Sequence, residues 1–212
     1  MKRRFLALVL AGCLAAVLST TAWASETPTN VSTEMELTTA LGDTAVTSIQ
    51  LKGNIDISNT LVVTKDVTLD LNGFVLKITG SGSVIKIESG SLTLVDSHPA
   101  AIHKFVKNTD DLWMLDESQG AGIVRGGIIT GGNAGYNDGG GVYVCPGAGL
   151  VMRGGSIVGC VATDDSAGGG GVANHGDFTM TGGTIHRCST TEGSGGGICS
   201  VRQLHISGSA VV

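Results

Sequence analysis

The sequence predicts an all-β solenoid, a parallel β-helix whose N-terminal end is covered by a short helix. Three interleaved tracks carry that prediction. Glycine pairs recur every 28 residues, at Gly126-Gly127, Gly154-Gly155 and Gly182-Gly183, each followed two positions later by Ile129, Ile157 or Ile185. A second track reads Gly139-Gly140-Gly141-Val142, Gly169-Gly170-Gly171-Val172 and Gly195-Gly196-Gly197-Ile198. The third reads Leu150-Val151-Met152, Phe178-Thr179-Met180 and Leu204-His205-Ile206. A unit that returns at a fixed period cannot bury its apolar face alone, so successive units stack.

Residues 1–24 stand apart from the fold. Met1-Lys2-Arg3-Arg4 is a basic start, Phe5 to Leu18 an apolar run, and Ala22-Trp23-Ala24 a small-residue cleavage site, so the segment reads as a secretory signal peptide. Leu10-Ala11-Gly12-Cys13 also matches a lipobox pattern, but apolar sequence continues past Cys13 to the better cleavage site. No later apolar run reaches the ~20 residues that span a bilayer. The expected location is secreted or at the cell surface.

Residues 25–46 form the cap segment. Thr33 and Glu36 make a capping box, followed by Leu37 and Leu41 at helical spacing and by Gly42 as a stop, so a helix is expected over 33–41. It covers the first coil or packs elsewhere. Residues 47–96 switch to period two, the strand period, at Ile49/Leu51, Ile55/Ile57, Val67/Leu69/Leu71, Leu76/Ile78, Ile85/Ile87 and Leu92/Leu94. The Asn-Gly and Gly-Ser breaks between them suit hairpin turns or solenoid corners, and the downstream 28-residue register favours corners. Residues 97–121 break the pattern with His98-Pro99, Asp110-Asp111 and Leu112-Trp113-Met114-Leu115. They read as an excursion. Trp113 is expected to fold back on the wall; the alternative is a binding excursion in which Trp113, Asp110 and Asp111 meet a ligand, since solenoid insertions gather on functional faces.

Residues 122–212 form glycine-rich coils with repeats of 26–30 residues. Superposing the tracks gives inward columns Val142/Val172/Ile198, Leu150/Phe178/Leu204, Met152/Met180/Ile206 and Ile129/Ile157/Ile185, with Val151, Thr179 and His205 facing outward. Three short strands per coil, stacked ~4.8 Å apart, make the β-helix. The last track is not followed by a polar cap. Further coils or another chain are therefore expected to cover the C-terminal end.

Three strings carry a family resemblance: Val67-Thr68-Leu69-Asp70-Leu71-Asn72-Gly73, Ser91-Leu92-Thr93-Leu94-Val95-Asp96-Ser97, and Phe178-Thr179-Met180-Thr181-Gly182-Gly183-Thr184-Ile185. Over about 45–212 the chain resembles secreted and surface proteins of bacteria, largely Gram-positive, with right-handed parallel β-helix (pectin-lyase-like) repeats. The resemblance implies the right-handed sense and an adhesin-like role; it implies no chemistry.

Few residues suggest chemistry. Cys160 and Cys188 fall in one column of adjacent coils, close enough for a disulfide, or for a ladder of small buried thiols; Cys145 and Cys199 are expected to be unbonded. No zinc-ligand spacing occurs. The loops before the triple glycines carry Asp138, Asp164, Asp165 and Glu192, either an acidic edge for calcium or solvated carboxylates. Asp56, Asp70 and Lys77 are read as outward but sharing no patch, and His186 and His205 as surface residues. Inverting hydrolysis needs two carboxylates ~6.5–9.5 Å apart on one wall, and the later coils present none. With a net charge of −5 and no basic stripe, nucleic acid is not an expected partner. The expected function is adhesin-like or structural display, binding a glycan or protein ligand, with no catalytic, cofactor or metal residues. The alternative is a non-catalytic N-terminal part of a polysaccharide lyase or hydrolase.

Overall fold

The computed structural model describes residues 27–135, 139–163 and 168–212. The expected signal peptide lies outside them, as do Asp138, Asp164 and Asp165. Over the described residues the chain is a parallel β-helix. Its strands are short because period-two apolar runs are interrupted every three to five residues by Gly, Asn or Ser. The first wall has seven strands, in the order Thr29–Val31, Ser48–Leu51, Val67–Asp70, Ser91–Val95, Gly149–Met152, Asp177–Met180 and Leu204–Ile206. The second wall has five: Ile55–Ile57, Val75–Ile78, Ile128–Thr130, Ser156–Val158 and Thr184–His186. The third has Leu61–Val63, Ile85–Ile87, Val142–Val144, Val172–Asn174 and Ile198–Ser200. A narrow fourth ladder of Asn133–Ala134, Val161–Ala162 and Ser189–Thr190 bends the later coils between the second and third walls.

The predicted columns are the observed ones. Val142 pairs with Val172 and Val172 with Ile198. Leu150, Phe178 and Leu204 align, as do Met152, Met180 and Ile206. Ile129, Ile157 and Ile185 align on the second wall. The early coils extend the same rows: Ile49, Leu69 and Leu94 continue directly into Met152. Apart from Leu204 and Ile206, which were expected to point inward but are exposed on the last strand of the first wall, these side chains belong to one continuous core. Where Val63, Ile87 and Val144 are followed by Asn174, the buried amide is satisfied. Asn174 Nδ2 donates to Ser200 Oγ and to the Gln203 carbonyl, both at 2.9 Å, and its Oδ1 accepts from Gly176 N.

The glycine pairs are corners. Gly155 and Gly183 hold φ of 78° and 81°, where a β-carbon is strained, and one on Gly183 would stand 2.6 Å from the Gly155 carbonyl oxygen. In the first pair the positive φ falls instead on Gly126, where the chain returns from the excursion.

The helix spans Glu34–Gly42 with both halves of the Thr33/Glu36 capping box formed. Leu37, Ala40 and Leu41 are buried against the first coil, so the helix covers that end of the core. Gly42 is its last residue rather than the stop beyond it; the C-cap is Asp43. The Lys65 ammonium donates to the Ala40, Asp43 and Val46 carbonyls; of these, Ala40 lies in the last turn, whose carbonyls have no partner within the helix. A Lys65→Met variant is expected to lose about 2 kcal/mol, measured by urea unfolding, with the helix residues losing hydrogen-exchange protection first.

Candidate functional site

The excursion is a three-stranded antiparallel sheet. Ile102–Lys107 lies between Trp113–Leu115 and Gly122–Arg125. The last of these strands begins at the residue where the glycine-rich coils were expected to start. One face of this sheet lies on the second wall. Phe105 is fully buried there with Val75, Val124, Ile128 and Val158, and Trp113 and Leu115 pack at the margin. Val158 is the outward neighbour of the core residue Ile157. The excursion covers it completely. The consecutive apolar pairs Val75-Leu76, Ile128-Ile129 and Ile157-Val158 carried that signal: a wall apolar on both faces needs something on its outer side.

Two carboxylates fix where the chain leaves and rejoins the helix. Asp96 accepts from Gly73 N and Gly127 N, both at 2.7 Å, and so clamps the two ends of the excursion to one corner. Asp70, expected to face outward, is buried (8% exposed). It accepts from Gln50 Nε2 at 2.7 Å and from the backbone N–H groups of Asn72 and Ser97 at 2.9 Å. The tight turn leaves those N–H groups without sheet partners, and the carboxylate supplies one. Burial acts to raise its pKa, but the hydrogen bonds from Gln50, Ser97 and Asn72 outweigh it and hold the carboxyl below its ordinary value. A depressed folded value means that the stabilisation is complete above the unfolded pKa of about 3.9 and is lost as pH falls through the lower, folded value. The urea midpoint is therefore expected to fall on acidification below about pH 4, and less steeply in Asp70→Asn.

His103, on the excursion's Ile102–Lys107 strand, is buried with an acceptor on each ring nitrogen. Nδ1 lies 2.7 Å from Glu117 Oε1, and Nε2 lies 2.9 Å from the Gly73 carbonyl oxygen. Nothing in the local sequence announced this anchor.

The hairpin tip holds the acidic residues singled out from sequence. Asn108 Oδ1 accepts from Asp110 N at 3.0 Å and from Leu112 N at 2.9 Å, and Asp111 sits at φ 63°. Lys107 Nζ lies 2.6 Å from Asp111 Oδ1. Asp110 and Asp111 are thus exposed turn residues, and Asp111 is already paired. Trp113 is half-buried, folded back as expected, with the Arg187 guanidinium carbon 4.0 Å from its ring centroid. Arg187 departs from its column, in which Gly131 and Gly159 precede it, all three at positive φ. A β-carbon on Gly159 would stand 2.3 Å from the Trp113 carbonyl oxygen, so glycine there lets the hairpin approach. One coil further on, the hairpin has been passed, and Arg187 reaches back over Trp113. Its Nη1 is buried without a hydrogen-bond partner among the described residues. The break in an otherwise strict glycine column was the available signal.

Between this hairpin and the second wall lies a cleft of about 230 Å³, with Lys77, Asn108, Leu112, Trp113, Thr130 and Asn133 on its sides and Gly131, Gly132 and Gly159 as its floor. Lys77 is half-buried and its ammonium has no hydrogen-bond or ion-pair partner among the described residues. Asp56 and Lys77, expected to share no patch, are direct register neighbours on the second wall. They do not form an ion pair. Larger hollows flank the cap helix, but the carboxylates that line them, Glu34, Glu36 and Asp43, already accept hydrogen bonds.

The remaining candidates lie apart from the cleft. Burial, then the charge of neighbouring Arg187, lowers the pKa of His186. His205 is exposed on the last strand of the first wall. Cys145, Cys160, Cys188 and Cys199 are all thiols. Among the described residues no three His, Cys, Asp or Glu side chains converge as a metal-ion site, and no helix is long and apolar enough to cross a membrane.

Coils of three walls, with an antiparallel excursion strapped across one of them, define a parallel β-helix. Residues 28–127 match the family model described as "Putative pectate lyase-like adhesive domain". No curated protein and no solved structure matches the chain.

Proposed function

We propose that the protein is a secreted, surface-associated adhesin-like β-helix that binds an extracellular ligand in the cleft between the Trp113–Leu115 strand and the second wall. The observation that carries this reading is the extent of the adhesive-domain match. It begins at the cap, runs through the first coils and the entire excursion, and ends at Gly127, where the chain rejoins the wall. The coils supply a rigid support and the excursion supplies the shaped surface. Lys77 offers one unpaired cation beside the apolar flank of Trp113, Leu112 and Leu115. A glycan residue that carries a carboxylate on an apolar ring face fits that combination. No step of bond cleavage is assigned to the site.

The test is binding of the intact chain to an array of neutral and acidic glycans, with released products followed by size. Lys77→Ala is expected to weaken binding to the selected acidic glycans at least about tenfold. Unchanged affinity would remove the cleft from the proposal. Depolymerisation of a bound polysaccharide would replace adhesion by the carbohydrate-active alternative.

A further inference from the structure

We propose that Cys160 and Cys188 form a disulfide site that staples the fourth coil of the second wall to the fifth when the protein meets a low-molecular-weight disulfide oxidant. Each cysteine stands two residues beyond a second-wall strand, Ser156–Val158 or Thr184–His186, and these strands pair Val158 with His186. The two cysteines are therefore in one column on neighbouring coils. Ser189 N donates to the Cys160 carbonyl oxygen at 3.0 Å, so the coils are hydrogen-bonded at this point. Parallel neighbours stand ~4.8 Å apart, within the ~4.4–6.8 Å between Cα atoms that a disulfide spans.

Column position alone would not suffice, because side chains in register can point past one another. Here Cys188 Sγ turns toward the coil of Cys160: it donates to the Ile157 carbonyl of that coil at 3.6 Å as well as to the His186 carbonyl at 3.4 Å, while Cys160 Sγ donates to the Val158 carbonyl at 3.6 Å. The surroundings favour the pair as well. The preceding residue of this column is Gly132, and Gly141 and Gly171 beside the sulfurs leave no side chain between them. Cys145 and Cys199 belong to the third wall and its following turn, outside the column.

The two thiols differ in a way that orders the steps. Cys160 is fully buried; the neighbouring Cys188 thiol, and then burial, raise its pKa. Cys188 is half-buried, and the Cys160 thiol beside it lowers its pKa. Cys188 thiolate attacks one sulfur of the oxidant, giving a mixed disulfide and releasing one thiolate. Cys160 loses its proton to that thiolate or to solvent and attacks the Cys188 sulfur, expelling the second thiolate. The protein loses two hydrogens and the oxidant becomes two thiols.

The experiment is oxidation of the native chain by oxidised glutathione, followed by alkylation and non-reducing peptide mapping. The expected product has lost about 2 Da, links Cys160 to Cys188, and leaves Cys145 and Cys199 alkylated. Its Tm rises by about 5–10 °C and returns on reduction. Cys160→Ser is expected to stop at a glutathione adduct on Cys188, and Cys188→Ser to leave Cys160 unmodified. Persistent adducts on Cys188 in the natural sequence, or pairing through Cys145 or Cys199, would overturn the proposal. So would reaction that begins only on unfolding.

Discussion

Replacing Phe178 by alanine is expected to destabilise the protein by about 3–5 kcal/mol. Phe178 is among the largest fully buried side chains and occupies the row that joins Leu150 to Leu204 on the first wall. In a solenoid each coil contacts only its neighbours, so the cavity cannot be closed by a shift of distant elements. The adjacent residue provides the control. Thr179 faces outward between Val151 and His205, and Thr179→Ala should change stability by no more than about 0.5 kcal/mol. Urea midpoints of the two variants measure the contrast. Similar losses at both positions would mean that the strand does not present alternate residues to the core and to solvent.

The second large effect is expected at Gly170. A β-carbon there would stand 2.2 Å from the Ser189 carbonyl oxygen and 2.6 Å from that of Gly196, both backbone atoms of the next coil. Neither can rotate away. Gly170→Ala must push the fourth and fifth coils apart, at a cost of about 2–4 kcal/mol. Gly53, by contrast, has nothing within 4 Å of its would-be β-carbon and no positive φ. Gly53→Ala should be neutral within about 0.5 kcal/mol. The same substitution thus separates glycines required for close approach from glycines that only punctuate a loop.

That separation explains how far the sequence could be read. The triple glycines and the apolar rows of the later coils recur at almost constant spacing, because each coil there has the same corners; their register follows directly. The early coils do not share it. Ile49, Leu69 and Leu94 occupy one row although the spacing grows along it, and Leu94 meets Met152 only after the whole excursion has intervened. Period two still revealed the strands, but not which strand lay on which. The excursion's own architecture was least legible. Trp113 was apparent as an apolar residue that would fold back, yet its partner Arg187 comes from a coil far along the chain. Asp70 looked like an outward polar residue at a strand end. Its burial depends on N–H groups of Asn72 and Ser97, one of which is contributed by the next coil. Lys77 was recognised as outward-facing. That it lines a cleft follows only once the hairpin lies across the wall. What was missed in each case is a contact between segments with no common period.

The most direct test of the stacked register is methyl NMR on protein labelled at Leu, Ile and Met. The predicted result is a chain of contacts running from Leu94 to Met152, from Met152 to Met180 and from Met180 to Ile206. The Leu94 to Met152 contact matters most, since it requires the excursion to leave the helix and return without shifting the row. Contacts that instead place Leu94 beside the residues immediately following it, as in an antiparallel meander, would contradict the β-helix.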